Sequence, residues 1–252
     1  MSNCMIALVT GANKGIGRQI AGQLAALGHT VVVGARDVEA GERAAAELKA
    51  AGGDAHAVVL DVTDPVSAAA AADTVKARFG QLDALVNNAG IASSPGGSLE
   101  AQYPGSVQLD EVRSIFETNF FGVISVTEAF LPLLRLSEAP RIVNVSSVAG
   151  SLAAAVESLD TSADRPDTSP VSAAYSPSKT ALTSLTLQYA RGLAPEGILV
   201  NAVCPGFVAT DLNGFRGTRT PVQGAAAAVR MATVPAGGPT GTFTDEFGPV
   251  PW

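Results

Sequence analysis

Short apolar runs alternate with longer Ala-rich stretches from one end of the chain to the other. The runs are Met5–Thr10, Thr30–Gly34, Ala55–Leu60, Ala84–Asn87, Arg141–Ser146 and Leu199–Cys204. They are continuous rather than alternating with polar positions, the pattern of strands covered on both faces. Helical patterning fills the intervals near Ile16–Leu27, Val38–Ala51, Pro65–Phe79, Leu109–Leu136, Ala173–Leu193 and Pro221–Thr233. Two of these helices carry start signals. Asp64-Pro65 offers an N-cap followed by proline at the first helical position, and Thr220-Pro221-Val222-Gln223 has the form of a capping box. The β–α alternation predicts an α/β fold: a doubly wound parallel sheet of about seven strands, with right-handed crossovers placing helices on both faces and ligands at the carboxyl ends of the strands. No internal repeat and no linker divides the chain, so residues 1–252 are expected to form one domain.

Two stretches interrupt the pattern. Ile91–Gln108 is rich in Gly, Ser and Pro and follows a strand, so it is expected to be a loop at the ligand edge. Leu152–Val171 inserts Ser, Asp, Pro and Thr between a strand and the next helix. Long irregular loops in compact domains tend to be lids or binding loops.

Composition removes several function classes. The 252 residues are 47% hydrophobic and only 15% charged, enough apolar material for a large core. A net charge of −7 provides no electrostatic footprint for nucleic acid or an anionic membrane. No apolar run reaches the roughly eighteen residues of a membrane span, and Met1–Thr10 is too short for a signal peptide. Cys4 and Cys204 lie in separate apolar segments outside any C-x-x-C. They read as buried free thiols, which implies a reducing, cytoplasmic compartment. His29 and His56 have no ligand-spaced Cys or acidic partners, so no metal site is expected.

Candidate chemistry sits at two places. Tyr175-Ser-Pro-Ser-Lys179 puts a phenol and an ammonium on one helix face, with Cβ atoms about 5–6 Å apart. A free phenol with a pKa of about 10 is a poor proton-transfer group at neutral pH, and a neighbouring positive charge lowers that pKa. Alone, such a pair is more often structural, a half-buried Tyr beside a solvated Lys. At the other place the first strand runs into Thr10-Gly11-Ala12-Asn13-Lys14-Gly15-Ile16-Gly17 and then a helix. Glycines permit a tight turn and close approach to a pyrophosphate, which the free N–H groups and positive dipole end of the helix attract. The spacing G-x-x-x-G-x-G differs from the common G-x-G-x-x-G, but its place after the first strand favours phosphate binding and a Rossmann-type sheet.

The chain resembles the short-chain dehydrogenase/reductase family over nearly its whole length. The resemblance is carried by Thr10–Gly17, Asn87-Asn88-Ala89-Gly90, Asn119, Ser146-Ser147, Tyr175-x-x-x-Lys179 and Pro205-Gly206, in that order. The Asn13-Lys14 wording of the turn, the segment added before Tyr175 and the Pro-Trp252 ending are similar to the carbonyl-reductase-like branch, which includes animal carbonyl reductases and plant monoterpenoid and alkaloid ketone reductases. The resemblance implies a catalytic set of Asn119, Ser147, Tyr175 and Lys179, with Asn119 holding a water that links to Lys179. It implies a cofactor site formed by Gly11, Asn13, Lys14, Gly15, Ile16 and Gly17; Asp61 and Val62 at the adenine; Asn88, Ala89 and Gly90; Tyr175 and Lys179 at the nicotinamide ribose; and Pro205, Gly206, Val208 and Thr210. Asp61 is alternatively a turn residue.

NAD-preferring members usually carry an acidic residue at the end of the second strand. Here Ala35-Arg36 stands in that place. Arg36 and Lys14 could both meet a 2′-phosphate through charge-assisted hydrogen bonds, so NADP(H) is the expected cofactor. A solvated Arg36 is the alternative, and Asp37 is either a ribose contact or the cap of the next helix. The implied activity is NADPH-dependent reduction of a ketone or aldehyde. The alternatives are an alcohol dehydrogenase working in oxidation and a non-catalytic NADP(H)-binding regulator. Phe207, Phe215, Val148, Ile91–Gln108 and the inserted stretch are expected to line an apolar substrate pocket. Helices that join subunits in tetrameric relatives lie beside that insert, so a monomer is favoured over a dimer or tetramer.

Overall fold

The computed structural model describes residues 4–159 and 171–252. Seven strands form one parallel sheet in the order β3-β2-β1-β4-β5-β6-β7. They are β1 (Ile6–Thr10), β2 (Thr30–Ala35), β3 (Asp54–Val59), β4 (Ala84–Asn87), β5 (Arg141–Val145), β6 (Leu199–Val203) and β7 (Phe243–Thr244). The helices are α1 (Gly15–Ala26), α2 (Val38–Ala50), α3 (Pro65–Phe79), α4 (Leu109–Phe116), α5 (Gly122–Leu134), α6 (Leu152–Glu157), α7 (Tyr175–Leu193) and α8 (Pro221–Ala232).

Consecutive strand residues face opposite cores, which is why the runs are apolar throughout. In β1, Ala7 and Val9 join a core with Ile20 and Leu24 of α1, Leu48 of α2 and Val229 of α8. Leu8, between them, joins the other core with Val75 of α3, Phe130 and Leu134 of α5 and Ile198. Asp64 caps α3 by accepting from the Val66 N–H (2.9 Å), with Pro65 in the first turn. The Thr220 capping box is reciprocal: the Gln223 N–H donates to Thr220 Oγ1 (3.3 Å), and the Thr220 N–H donates to Gln223 Oε1 (2.9 Å).

The chain leaves β1 for β2 and β3 on one side, then returns to β4 on the other. The carboxyl ends of β1 and β4 therefore part at a topological switch point, where a crevice opens. Thr10 closes β1 there, and its hydroxyl accepts from the backbone N–H groups of both Asn88 and Ala89 (2.9 Å each).

Two expectations are corrected, and one element is new. The stretch Leu109–Leu136 is not one α-helix: a π-helical turn, Glu117–Phe121, separates α4 from α5. Cys4 is exposed ahead of β1, and only Cys204 is buried. The seventh strand is a two-residue element near the C-terminus, too short to show as an apolar run. Of the insert Leu152–Val171, α6 and its flanking residues are described; 160–170 lie outside the described residues.

Candidate active site

The Tyr–Lys pair opens α7, which runs beneath the carboxyl end of β5. Lys179 is 5% exposed, and its Nζ donates to the Val145 carbonyl at 2.9 Å. Nζ lies 5.9 Å from the centroid of the half-buried Tyr175 ring. Ser147 follows β5 and caps a short turn, its Oγ accepting from the Ala149 N–H (3.2 Å). That turn packs directly on α7. A Cβ at Gly150 would lie 2.5 Å from the Lys179 carbonyl carbon and 2.7 Å from the Thr180 nitrogen, so only glycine lets the Ser147 segment and the Tyr helix approach this closely. Cys204 Sγ accepts from the Val148 N–H (3.2 Å) and the Gly206 N–H (3.4 Å), joining the Ser147 turn to the Pro205-Gly206 turn.

Burial dominates the protonation of this cluster. The Tyr175 phenol is pushed up to about 12 by desolvation; the adjacent Ser147 hydroxyl acts in the opposite sense and Cys204 adds to the rise. Lys179 is pushed down to about 8, again chiefly by desolvation. The expected lowering of the phenol by Lys179 is not met here: desolvation raises it, and the opposing influence comes from the Ser147 hydroxyl.

Asn119 lies within the π-helical turn and is fully buried. Its Oδ1 accepts from the Ile91 N–H (2.9 Å), and its Nδ2 donates to the Ile91 carbonyl (2.9 Å) and to Ser178 Oγ (3.0 Å). The carboxamide thus ties the strand-end loop to α7 and makes no hydrogen bond to Lys179. A single π-turn of this kind is frequent at functional sites.

At the switch point the glycine turn forms a cradle. Gly11 and Gly15 have φ of +62° and +56°. A Cβ at Gly17 would sit 2.4 Å from Asn88 Nδ2 and 2.5 Å from the Gly11 carbonyl oxygen. Lys14, at the N-cap of α1, makes no side-chain capping bond, and the first turn of α1 holds no acidic residue. The helix start therefore has free N–H groups and a positive dipole end with no acidic side chain in its own first turn, which suits a pyrophosphate. Asn13 and Ile16 are partly buried in the same turn. Thr210 closes it from the opposite side, where a Cβ on Gly15 would lie 3.5 Å from Thr210 Cγ2. Val208 is buried beneath, bridged to Arg219, while Pro205 and Gly206 form the turn above Cys204.

Asn88 Nδ2 donates to the Thr10 carbonyl (2.9 Å), and Gly90 stands between Asn119 and Lys179. Asp61 Oδ1 accepts from the N–H and hydroxyl of Thr63 (3.0 and 2.8 Å), so it does serve as a turn residue. Val62 packs against Gly122 at the start of α5. Arg36 is exposed and makes no hydrogen bond or ion pair among the described residues, whereas Lys14 pairs with Asp211 at 2.8 Å. Asp37 caps α2, its Oδ1 accepting from the Ala40 N–H (2.8 Å).

A short chain dehydrogenase family model matches residues 5–220. The chain belongs to the short-chain dehydrogenase family. Short-chain dehydrogenase/reductase 1 of Saponaria officinalis is 38% identical, over 94% of this chain and 92% of that protein. Human carbonyl reductase [NADPH] 1 is 34% identical, over 97% of each. Among solved structures, salutaridine reductase from Papaver somniferum superposes with a TM-score of 0.78 at 34% identity, covering 96% of this chain and 99% of that one. This short-chain dehydrogenase has no described helix long and apolar enough to cross a membrane. Among its described residues no group of three or more His, Cys, Asp or Glu side chains could hold a metal ion.

Sequence reasoning missed three supports of this site: Thr10, Cys204 and Gln102. Thr10 was legible as the residue before the glycine turn. The other two act through contacts distant in sequence and had no local signal.

Proposed function

We propose that the protein reduces a ketone or aldehyde with NADPH, Tyr175 giving the proton. The observation that carries this is the cluster of Ser147, Tyr175 and Lys179 at the carboxyl end of β5, beside the glycine cradle. Carbonyl reductase [NADPH] 1 and salutaridine reductase among the relatives support it.

The cofactor fits the residues present. The turn Gly11–Gly17 and Thr210 would hold the pyrophosphate. Arg36 would take the 2′-phosphate, Asp61 and Val62 the adenine, and Asn88–Gly90 with Pro205, Gly206 and Val208 the nicotinamide end. Bound there, reduced nicotinamide supplies the hydride. Tyr175, whose phenol stays protonated at neutral pH, delivers its proton to the substrate oxygen. The Ser147 hydroxyl donates to that oxygen as its charge grows. Lys179 holds the nicotinamide ribose and, while charged, stabilises the phenolate left behind. Asn119 positions the loop and α7; with its carboxamide committed to Ile91 and Ser178, a proton relay would use its main-chain carbonyl.

The test is NADPH consumption with aldehydes, cyclic ketones and quinones; NADPH binding without turnover of any of them would favour a non-catalytic regulator. The pH profile adds a second check. Lys179 is charged below about pH 8 and neutral above it, so kcat/KM for NADPH is expected to fall as pH rises through about 8. A profile level to pH 10 would remove the role given to its charge. We further propose that the insertion preceding α7 in the sequence keeps the protein monomeric. Light scattering should give the mass of one chain, and a stable tetramer would refute this.

A further inference from the structure

Gln102 is the one polar member among the largest fully buried side chains, at 0% exposed. It lies in the long loop between β4 and α4, and its carboxamide uses its whole hydrogen-bonding capacity. Nε2 donates to the Ala92 carbonyl (2.7 Å) and to Glu111 Oε1 on α4 (3.4 Å). Oε1 accepts from Ser172 Oγ (2.6 Å) and from the backbone N–H of Tyr175 (3.2 Å). The orientation is dictated by chemistry: turned over, the amide would set its oxygen against two acceptor-only oxygens. The backbone joins in, since the Gln102 carbonyl accepts from the Ala173 N–H (2.8 Å).

Both ends of this bridge are anchored. Glu111 is 5% exposed and accepts from the N–H of Ser94 (2.9 Å) and from its hydroxyl, so the loop is wrapped on a buried carboxylate. Ser172 Oγ, polarised by its bond to Gln102, accepts from the N–H groups of Ala174 (3.2 Å) and Tyr175 (2.7 Å). These are orphan donors at the start of α7, and Ala174 at the N-cap has no side chain to satisfy them. On the carbonyl side, Ser178 Oγ donates to the Tyr175 carbonyl (2.6 Å) and accepts from Asn119. The backbone of Tyr175 is therefore gripped at its N–H by Gln102 of the β4–α4 loop and by Ser172, and at its carbonyl by Ser178 of its own helix.

We propose that Gln102 is a positioning residue for Tyr175: its buried carboxamide locks the β4–α4 loop to the first turn of α7 and so fixes the orientation of the phenol. This rests on the reading of Tyr175 as proton donor. A fully satisfied buried network of this kind specifies one geometry, and a small misplacement of a reacting group costs about a hundredfold in rate.

Gln102→Leu should lower kcat by about 10–100-fold while the dissociation constant for NADPH stays within about twofold. Gln102→Glu keeps the acceptor toward Ser172 and Tyr175. Ionised, it opposes the Ala92 carbonyl and the Glu111 carboxylate, the charged group hydrogen-bonded to Gln102; protonated, it recovers a donor. Its kcat relative to the parent enzyme should therefore rise as pH falls. Hydrogen exchange gives a readout independent of turnover: the amides of residues 172–176 and Ser178 should exchange about tenfold faster in either variant, with α1 unchanged. Unchanged exchange there, a pH-independent kcat ratio for Gln102→Glu, or equal losses of kcat and NADPH affinity would overturn the proposal. If exchange quickens but the parent enzyme reduces no carbonyl, the anchor stands and the reductase reading falls.

Discussion

Tyr175→Phe should lower carbonyl reduction by about 10²–10⁴-fold, the usual contribution of a positioned proton donor, and leave NADPH binding within about twofold. The substitution removes one hydroxyl and keeps the ring. The backbone grip on this residue by Ser172, Gln102 and Ser178 involves no phenol atom, so α7 should start as before. Lys179 keeps its bond to the Val145 carbonyl, and the Ser147 turn keeps its packing through Gly150. What is lost is the proton itself: the phenol is protonated at neutral pH, and phenylalanine has none to give. Single-turnover mixing of enzyme, NADPH and ketone, with cofactor affinity measured by fluorescence, separates the two effects. A variant retaining turnover within tenfold of the parent would dismiss Tyr175 as donor.

Arg36→Ala should change cofactor choice rather than catalysis. One charge-assisted hydrogen bond is worth about 1.5–3 kcal/mol, so kcat/KM with NADPH should fall about 10–150-fold, and with NADH it should hardly move. The structure sharpens this beyond the sequence. Lys14, the other candidate for the 2′-phosphate, is paired across the cradle with Asp211, whereas Arg36 is exposed at the end of β2 with no partner among the described residues. Asp37 caps α2 through Oδ1. Under the proposed NADPH dependence, Arg36 is therefore the residue whose removal should discriminate between the cofactors. Parallel loss with both cofactors, or no loss with either, would show that it is merely solvated.

How much of this was legible beforehand differs from residue to residue. The strands were readable because both faces are covered: Leu8 and Val9 of β1 enter different cores, and each needs an apolar side chain. The caps at Asp64 and Thr220 were readable because a cap is a contact within three residues. Asn119 was visible as an irregular polar residue in an apolar helix, but not the π-turn that holds it or its commitment to Ile91 and Ser178. The sign of the Tyr175 shift was misread for a related reason. Spacing reveals a neighbouring charge, but only the packed site shows how much water is lost, and here that loss is the larger effect.

The sequence alone therefore determined the alternation of strand and helix, the glycine turn on the first strand and the order of the chemical residues, all of which depend on neighbours a few positions apart. Tertiary structure alone decided that Gln102 grips the Tyr175 backbone, that Lys14 pairs with Asp211 and that burial is the largest influence on the Tyr175 phenol. These depend on where loops distant along the chain come to rest and on which groups they shield from water, and no local pattern encodes either.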